Sequence, residues 1–145
     1  MGLLIEKAWP YLAGAVFSLG WYFFLGARFP THVDNLMLAT GTTSAVIVGF
    51  LATAKAIVLG LTNTPTFRAL KDTGYSTILF RYFFEAILLG MLLLIFSIAG
   101  FFLPDNGSQP QAPLWFAATW MFLGTCSVFG YLRVVRVLFK LVAKA

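Results

Sequence analysis

The sequence predicts an all-α polytopic membrane protein with four transmembrane helices and with both its N- and C-termini on the cytoplasmic side. Its 145 residues are 60% hydrophobic and only 10% charged, and the mean hydropathy is +0.88. Soluble domains are nearer half apolar and a quarter charged, so this excess is too large for one buried core. The bilayer is the solvent that such a composition requires. The length fits a single transmembrane domain, residues 1–145.

Four apolar runs are each long enough to cross a bilayer as a helix, which needs about 20 residues. The segments between them contain Pro30, Pro65 and Pro104, and proline interrupts helices. We expect the four helices to pack as a bundle and the chain to form a homo-oligomer surrounded by membrane lipids. The predicted helices cover about residues 8–27, 36–61, 77–102 and 114–138.

The positions of lysine and arginine predict the orientation, because cytoplasmic segments carry an excess of both. Nine of the ten such residues lie in or near the N-terminus, the middle loop and the C-terminal tail. Arg28 is the exception, in the loop between the first two helices. The sequence therefore predicts a multi-pass protein of the bacterial inner (cytoplasmic) membrane with both ends inside.

The middle loop has two interpretations. Thr64-Pro65 is a good helix start and Gly74 a good helix end, which predicts a short amphipathic helix over residues 65–73. It is either a basic linker next to the membrane or a docking surface for a cytoplasmic sensor or effector protein. The basic residues expected to contact such a partner or lipid headgroups are Arg68, Lys71, Arg133, Arg136, Lys140 and Lys144.

Charge inside a predicted span is costly and often functional, and three such residues are candidates for a site: Lys55, Arg81 and Glu85. Arg81 and Glu85 are four residues apart and share a helix face. Folding the second and third helices about the loop between them brings Lys55 level with this pair. The three residues are predicted to form an intramembrane charge cluster. They either snorkel to the interface or line a polar path.

Small residues recur along one stripe of the second helix. This spacing permits close helix packing in lipid, and it is also compatible with the lining of a narrow pore in an oligomer. The residues of the stripe are Gly41, Thr42, Ala45, Gly49 and Thr53.

The residue inventory argues against an enzyme, a metal protein and a nucleic-acid-binding protein. The sequence has one His, one Cys and five acidic residues, and it lacks the usual catalytic and metal-binding motifs. His32 and Asp34 are two ligands at most, which do not make a metal site. The basic residues lie at helix ends, where membrane orientation explains them. We therefore expect no cofactor, no metal and no direct nucleic-acid binding.

A family resemblance lies in the second and third helices and the loop that joins them. The segments that carry it are Gly41-Thr42, the alanine-rich run to Gly60, Arg68-Ala-Leu-Lys71, Gly74-Tyr75, Leu89-Gly90 and Ser97-Ile-Ala-Gly100. Over about residues 41–100 the chain resembles the RexB-like phage-exclusion membrane proteins. The resemblance implies an inner-membrane protein of phage defence that acts as an ion channel and depolarises the cell when an intracellular sensor is triggered.

Together these features predict a membrane effector of bacterial antiphage defence, an oligomeric ion channel opened by a cytoplasmic partner. One alternative is a membrane anchor or scaffold that recruits a cytoplasmic effector and conducts nothing. A further alternative is a small four-helix exporter. Such exporters usually carry their membrane acid in the first helix, whereas Glu85 lies in the third.

Overall fold

Four α-helices account for nearly all of the chain that the computed structural model describes, which is residues 2–24, 33–60, 75–103 and 113–142. The prediction of an all-α protein is therefore confirmed. The predicted short helix at 65–73 lies outside the described residues. The four helices are α1 (Gly2–Phe24), α2 (Val33–Gly60), α3 (Tyr75–Gly100) and α4 (Leu114–Val142).

The helix ends differ from the apolar runs by a few residues, because a helix can continue past its lipid-compatible part. α2 begins at Val33 and takes in the polar Asp34, while the apolar run begins at residue 36. α4 continues to Val142, beyond the predicted end at residue 138. It begins after Pro113, whose carbonyl accepts hydrogen bonds from the backbone N–H groups of Phe116 and Ala117.

Three of the helices are long and apolar enough to cross a membrane, which indicates a membrane protein. Their spans are Val33–Gly60, Ser76–Gly100 and Leu114–Phe139, with mean hydropathies of 1.8, 2.3 and 1.5. Large apolar side chains face outward along them, as lipid contact requires. The crossing of the membrane by α1 and the side on which the termini lie stay predictions.

The helices contact one another in the order α2, α3, α4, α1. α1 packs chiefly on α4 and α2 chiefly on α3, so the main contacts follow a row, and α2 also meets α4 through the Phe50–Tyr131 ring pair at 6.3 Å. α3 is the central element. Its inner face joins the main core cluster with α2 and α4, which consists of Leu51, Leu79, Tyr82, Phe83, Ala86 and Val134.

Glycines set the closest approaches in this row. A Cβ atom built at Gly90 would lie 2.6 Å from Cγ2 of Val48, so the Val48 side chain of α2 packs directly on the backbone of α3 there. A Cβ atom built at Gly14 would lie 2.5 Å from Sγ of Cys126, which defines the contact of α1 with α4. Such contacts matter in lipid, because the helices gain little from the hydrophobic effect and rely on close packing.

Candidate functional site

Glu85 is the centre of a charged cluster that joins α3 to α4. Nε of Arg81, one turn earlier on α3, donates a hydrogen bond to Oε1 of Glu85 at 3.3 Å. Nη2 of Arg133, on α4, donates to Oε2 at 2.7 Å. Each carboxylate oxygen therefore has its own guanidinium partner, and the two partners come from different helices.

The two arginines lie in different environments. The side chain of Arg81 is 62% exposed, whereas that of Arg133 is 5% exposed and that of Glu85 is 16% exposed. The Arg133–Glu85 pair is therefore a buried interhelical ion pair, and the Arg81–Glu85 pair lies along the surface of one helix. Charges interact more strongly in the low-dielectric interior. Removing one partner there also costs more free energy, because the other charge stays buried without a counter-charge.

Arg133 has a second contact, with an aromatic ring, and it also has hydrogen-bond donors without an acceptor among the described residues. Its Cζ atom lies 3.9 Å from the centroid of the Tyr82 ring, which is a cation–π arrangement. Its Nε and Nη1 atoms are buried and have no hydrogen-bond partner among the described residues. The same is true of the Oγ atom of Ser127. Tyr11 of α1 lies near enough to Arg133 and Glu85 to interact with both electrostatically.

The prediction that Arg133 contacts a cytoplasmic partner or lipid headgroups is wrong, because its side chain is buried between helices. The sequence groups it with the basic residues of the C-terminal end, although the predicted fourth helix already contains it and α4 continues nine residues past it to Val142. A signal was present in the sequence. Cys126, Gly130 and Arg133 recur at helical spacing, and all three are buried. Arg136, one turn further on, is exposed as a contact with a partner or headgroups requires.

The predicted cluster of Lys55, Arg81 and Glu85 is present only in its Arg81–Glu85 half. Among the side chains that the structure describes, the ion-pair partners of Glu85 are Arg81 and Arg133. Glu85 is turned towards α4, where it pairs with Arg133, whereas Lys55 is on α2. Lys55 is half-buried.

The small-residue stripe of α2 is not the main contact with α3. That contact runs through Met37, Ser44 and Leu51, which are buried at seven-residue spacing, and the Ser44 hydroxyl donates to the Gly90 carbonyl at 2.6 Å. Of the stripe, Gly41 approaches α3, since a Cβ atom there would lie 3.5 Å from Cβ of Ser97.

The rest of the stripe faces outward. A Cβ atom at Gly49 would have no neighbour within 4 Å among the described residues. Thr42 and Thr53 are exposed, and their hydroxyls donate to carbonyls four residues earlier in their own helix. Gly41, Thr42 and Ala45 border a shallow apolar groove of about 250 Å³ between α2 and α3. Thr42, Ala45, Gly49 and Thr53 are thus exposed among the described residues, where lipid or another subunit could contact them.

The remaining predicted contact residues lie at the edge of what the structure covers. Arg68, Lys71 and Lys144, and the side chain of Lys140, lie outside the described residues. Within the described part, no three His, Cys, Asp or Glu side chains come together as metal ligands would.

The fold and this cluster define a class, a helical membrane protein with a buried interhelical ion pair. No family model, curated protein or solved structure matches the chain. The resemblance to RexB-like proteins therefore stays a prediction that depends on its sequence motifs.

Proposed function

We propose that the chain is a membrane effector of bacterial antiphage defence, an oligomeric ion channel that depolarises the inner membrane when a cytoplasmic partner triggers it. The observation that carries the proposal is the Arg81–Glu85–Arg133 cluster inside two apolar spans. Glu85 lies nine residues after Ser76, the first residue of its span, which is about 14 Å along the helix axis. Charges held at such depth are costly and typically mark ion paths or switching elements.

The arrangement of the helices supports an oligomer. The main contacts of the described helices follow a row, and the apolar core cluster fills the space between α2, α3 and α4. A path for ions would therefore run between subunits. The outward-facing small residues of α2, such as Gly49 and Thr53, would allow close approach of a second chain. In this proposal all four helices cross the inner membrane, both termini are cytoplasmic, and the middle loop and C-terminal tail receive the trigger.

A non-conducting membrane anchor or scaffold is the second candidate, and one observation favours it. Both oxygens of Glu85 already accept a hydrogen bond from an arginine, as in a static link between helices. In that case the cluster holds α3 against α4, and the basic segments recruit a cytoplasmic effector. The same pairing means that a transported cation would have to compete with two guanidinium groups for Glu85, which disfavours an exporter.

Membrane potential distinguishes the two candidates. A potential-sensitive dye would be followed in bacteria that express the chain with its neighbouring genes, before and after phage challenge. The channel predicts depolarisation on infection that is lost in Glu85→Gln and in Arg133→Met at equal membrane abundance. Gly20→Ala is the control, because a Cβ atom there meets nothing within 4 Å among the described residues. A steady potential with intact protection would reject the channel and support the scaffold.

A further inference from the structure

The guanidinium of Arg133 carries more hydrogen-bond donors than the protein satisfies. Nη2 is paired with Glu85, but Nε and Nη1, which hold three N–H groups, are buried without an acceptor among the described residues. A buried donor that is unpaired loses its hydrogen bonds to water without forming new ones. This costs free energy, and the cost is greater for a charged group. Something other than the described side chains is therefore expected to accept these hydrogen bonds.

The rest of the chain shows that its polar groups are normally satisfied. Ser44 donates across to α3, and the indole N–H of Trp120 donates to Ser97 on α3. Threonine hydroxyls donate to the carbonyl four residues earlier in their own helix, at Thr40, Thr42, Thr53, Thr119 and Thr125. Among the described residues the exceptions are Arg133 and Ser127, both on α4.

Charge points to the kind of acceptor. Arg81 and Arg133 share one carboxylate, so the cluster has a net charge of +1. Lys55 of α2 adds no negative charge, and Tyr11 of α1 is neutral. Besides Glu85, the acidic side chain that the structure describes is Asp34, at the far end of α2. The protein supplies no second anion within this part of the chain.

We infer that Arg133 forms a binding site for a small inorganic anion of the size of chloride or nitrate, between α3 and α4. Guanidinium N–H groups are donors only, and their strongest acceptors are anions. The site is closed to lipid headgroups, since the Arg133 side chain is 5% exposed, and Arg81 is the arginine that faces outward. α1 lies beside the site and is held chiefly by α4, so its displacement gives an anion access.

The test is the thermal unfolding of the purified full-length chain in nanodiscs of neutral phosphatidylcholine. The sodium salts of chloride, nitrate and the bulky gluconate would be titrated at constant ionic strength, with tryptophan fluorescence as the signal. A ligand that binds the folded state raises the midpoint in a saturable way. We expect a saturable rise with chloride and nitrate and none with gluconate.

Matched variants assign the effect to Arg133. Arg133→Met would leave Glu85 with one partner, so the double variant Glu85→Gln/Arg133→Met, which has no buried pair, is the safer test. It should lose the saturable rise. Arg136→Gln removes the same charge from an exposed position one turn away, and it should keep the rise in the purified chain.

Three results would overturn the inference. They are equal midpoints in chloride and gluconate, an unchanged chloride effect in the folded double variant, and replacement of the chloride effect by anionic phosphatidylglycerol in the nanodisc. The last result would assign the donors to a lipid headgroup. Because binding is measured on the purified chain without any current, failure of the channel proposal leaves this test intact, and the reverse also holds.

Discussion

Replacing Glu85 with glutamine should destabilise the fold far more than replacing Arg81 with glutamine, although each substitution breaks an ion pair at the same carboxylate. Glu85→Gln leaves the Arg133 charge buried without a counter-charge, and removing one partner of a buried pair costs about 3–5 kcal/mol. The glutamine carbonyl can still accept one hydrogen bond, so we expect a loss of about 3 kcal/mol, at the lower end of that range. Arg81→Gln removes an exposed pair within one helix, for which about 0.3–0.5 kcal/mol is expected.

Arg133→Met should fall between these two, because Glu85 keeps Arg81 as a partner. In the double variant Glu85→Gln/Arg133→Met no charge is left buried. It should therefore recover to within about 1 kcal/mol of the unaltered protein, since apolar replacement of a whole buried pair is often neutral. The sum of the stability losses in the two single variants would then exceed the stability loss in the double variant, which is the signature of direct coupling.

The assay is reversible unfolding of the purified protein in mixed micelles with a rising fraction of sodium dodecyl sulfate, followed by helical circular dichroism. Arg81→Gln is the matched control because it changes the same cluster from its exposed side. Two results would refute the reasoning. One is a loss for Glu85→Gln no greater than for Arg81→Gln, and the other is a double variant whose loss equals the sum of the single losses.

The remaining predictions concern packing, accessibility and orientation. Gly90→Ala should cost about 1–3 kcal/mol in the same unfolding assay, since its methyl group would overlap with Val48. Gly49→Ala, which meets no neighbour among the described residues, should cost far less, and equal losses would contradict the α2–α3 contact. Ser44→Ala should cost about 0.6 kcal/mol, the average for a side-chain hydrogen bond between membrane helices, and no loss would count against the bond to Gly90. The buried thiol of Cys126 should resist maleimide in the folded protein and react fully after denaturation; rapid labelling of the folded chain would show that α1 does not cover it. Reporter fusions at the two termini should both show a cytoplasmic signal; a periplasmic signal at one end would overturn the four spans, and at both ends it would overturn the orientation.

The fold class and the Arg81–Glu85 pair could be predicted because both depend on local sequence. Composition and run length indicate apolar helices, and a spacing of four residues places two side chains on one helix face. The packing face of α2 is harder to predict. Met37, Ser44 and Leu51 are no more apolar than their neighbours, because a helix in lipid is apolar on all sides.

The position of Arg133 could not be derived from the same information. Its burial depends on the rotation of α4 about its axis and on the order of helices in the row. The excess of lysine and arginine at cytoplasmic helix ends also explains a positive charge at this position. Arg133 therefore cannot be distinguished by sequence from the arginines that only set the orientation. Gly130 is the informative neighbour, because a glycine one turn before a charged residue inside a span signals close contact with another helix.

The three contacts in the row are held by different combinations of packing and polar bonds. α2 and α3 are joined by close packing at Gly90 and by the Ser44 hydrogen bond, and α3 and α4 by a buried ion pair. α1 contacts α4 through close packing at Gly14, through a hydrogen bond from the Ser18 hydroxyl to the Ala118 carbonyl at 3.3 Å, and through the weak donor Cys126, whose Sγ lies 3.6 Å from the Pro10 carbonyl. α1 is an outer helix of the row, and it lies beside Arg133. Its displacement would bring water to Arg133 while leaving α2, α3 and α4 together, so a trigger acting on α1 would reach the charged cluster first.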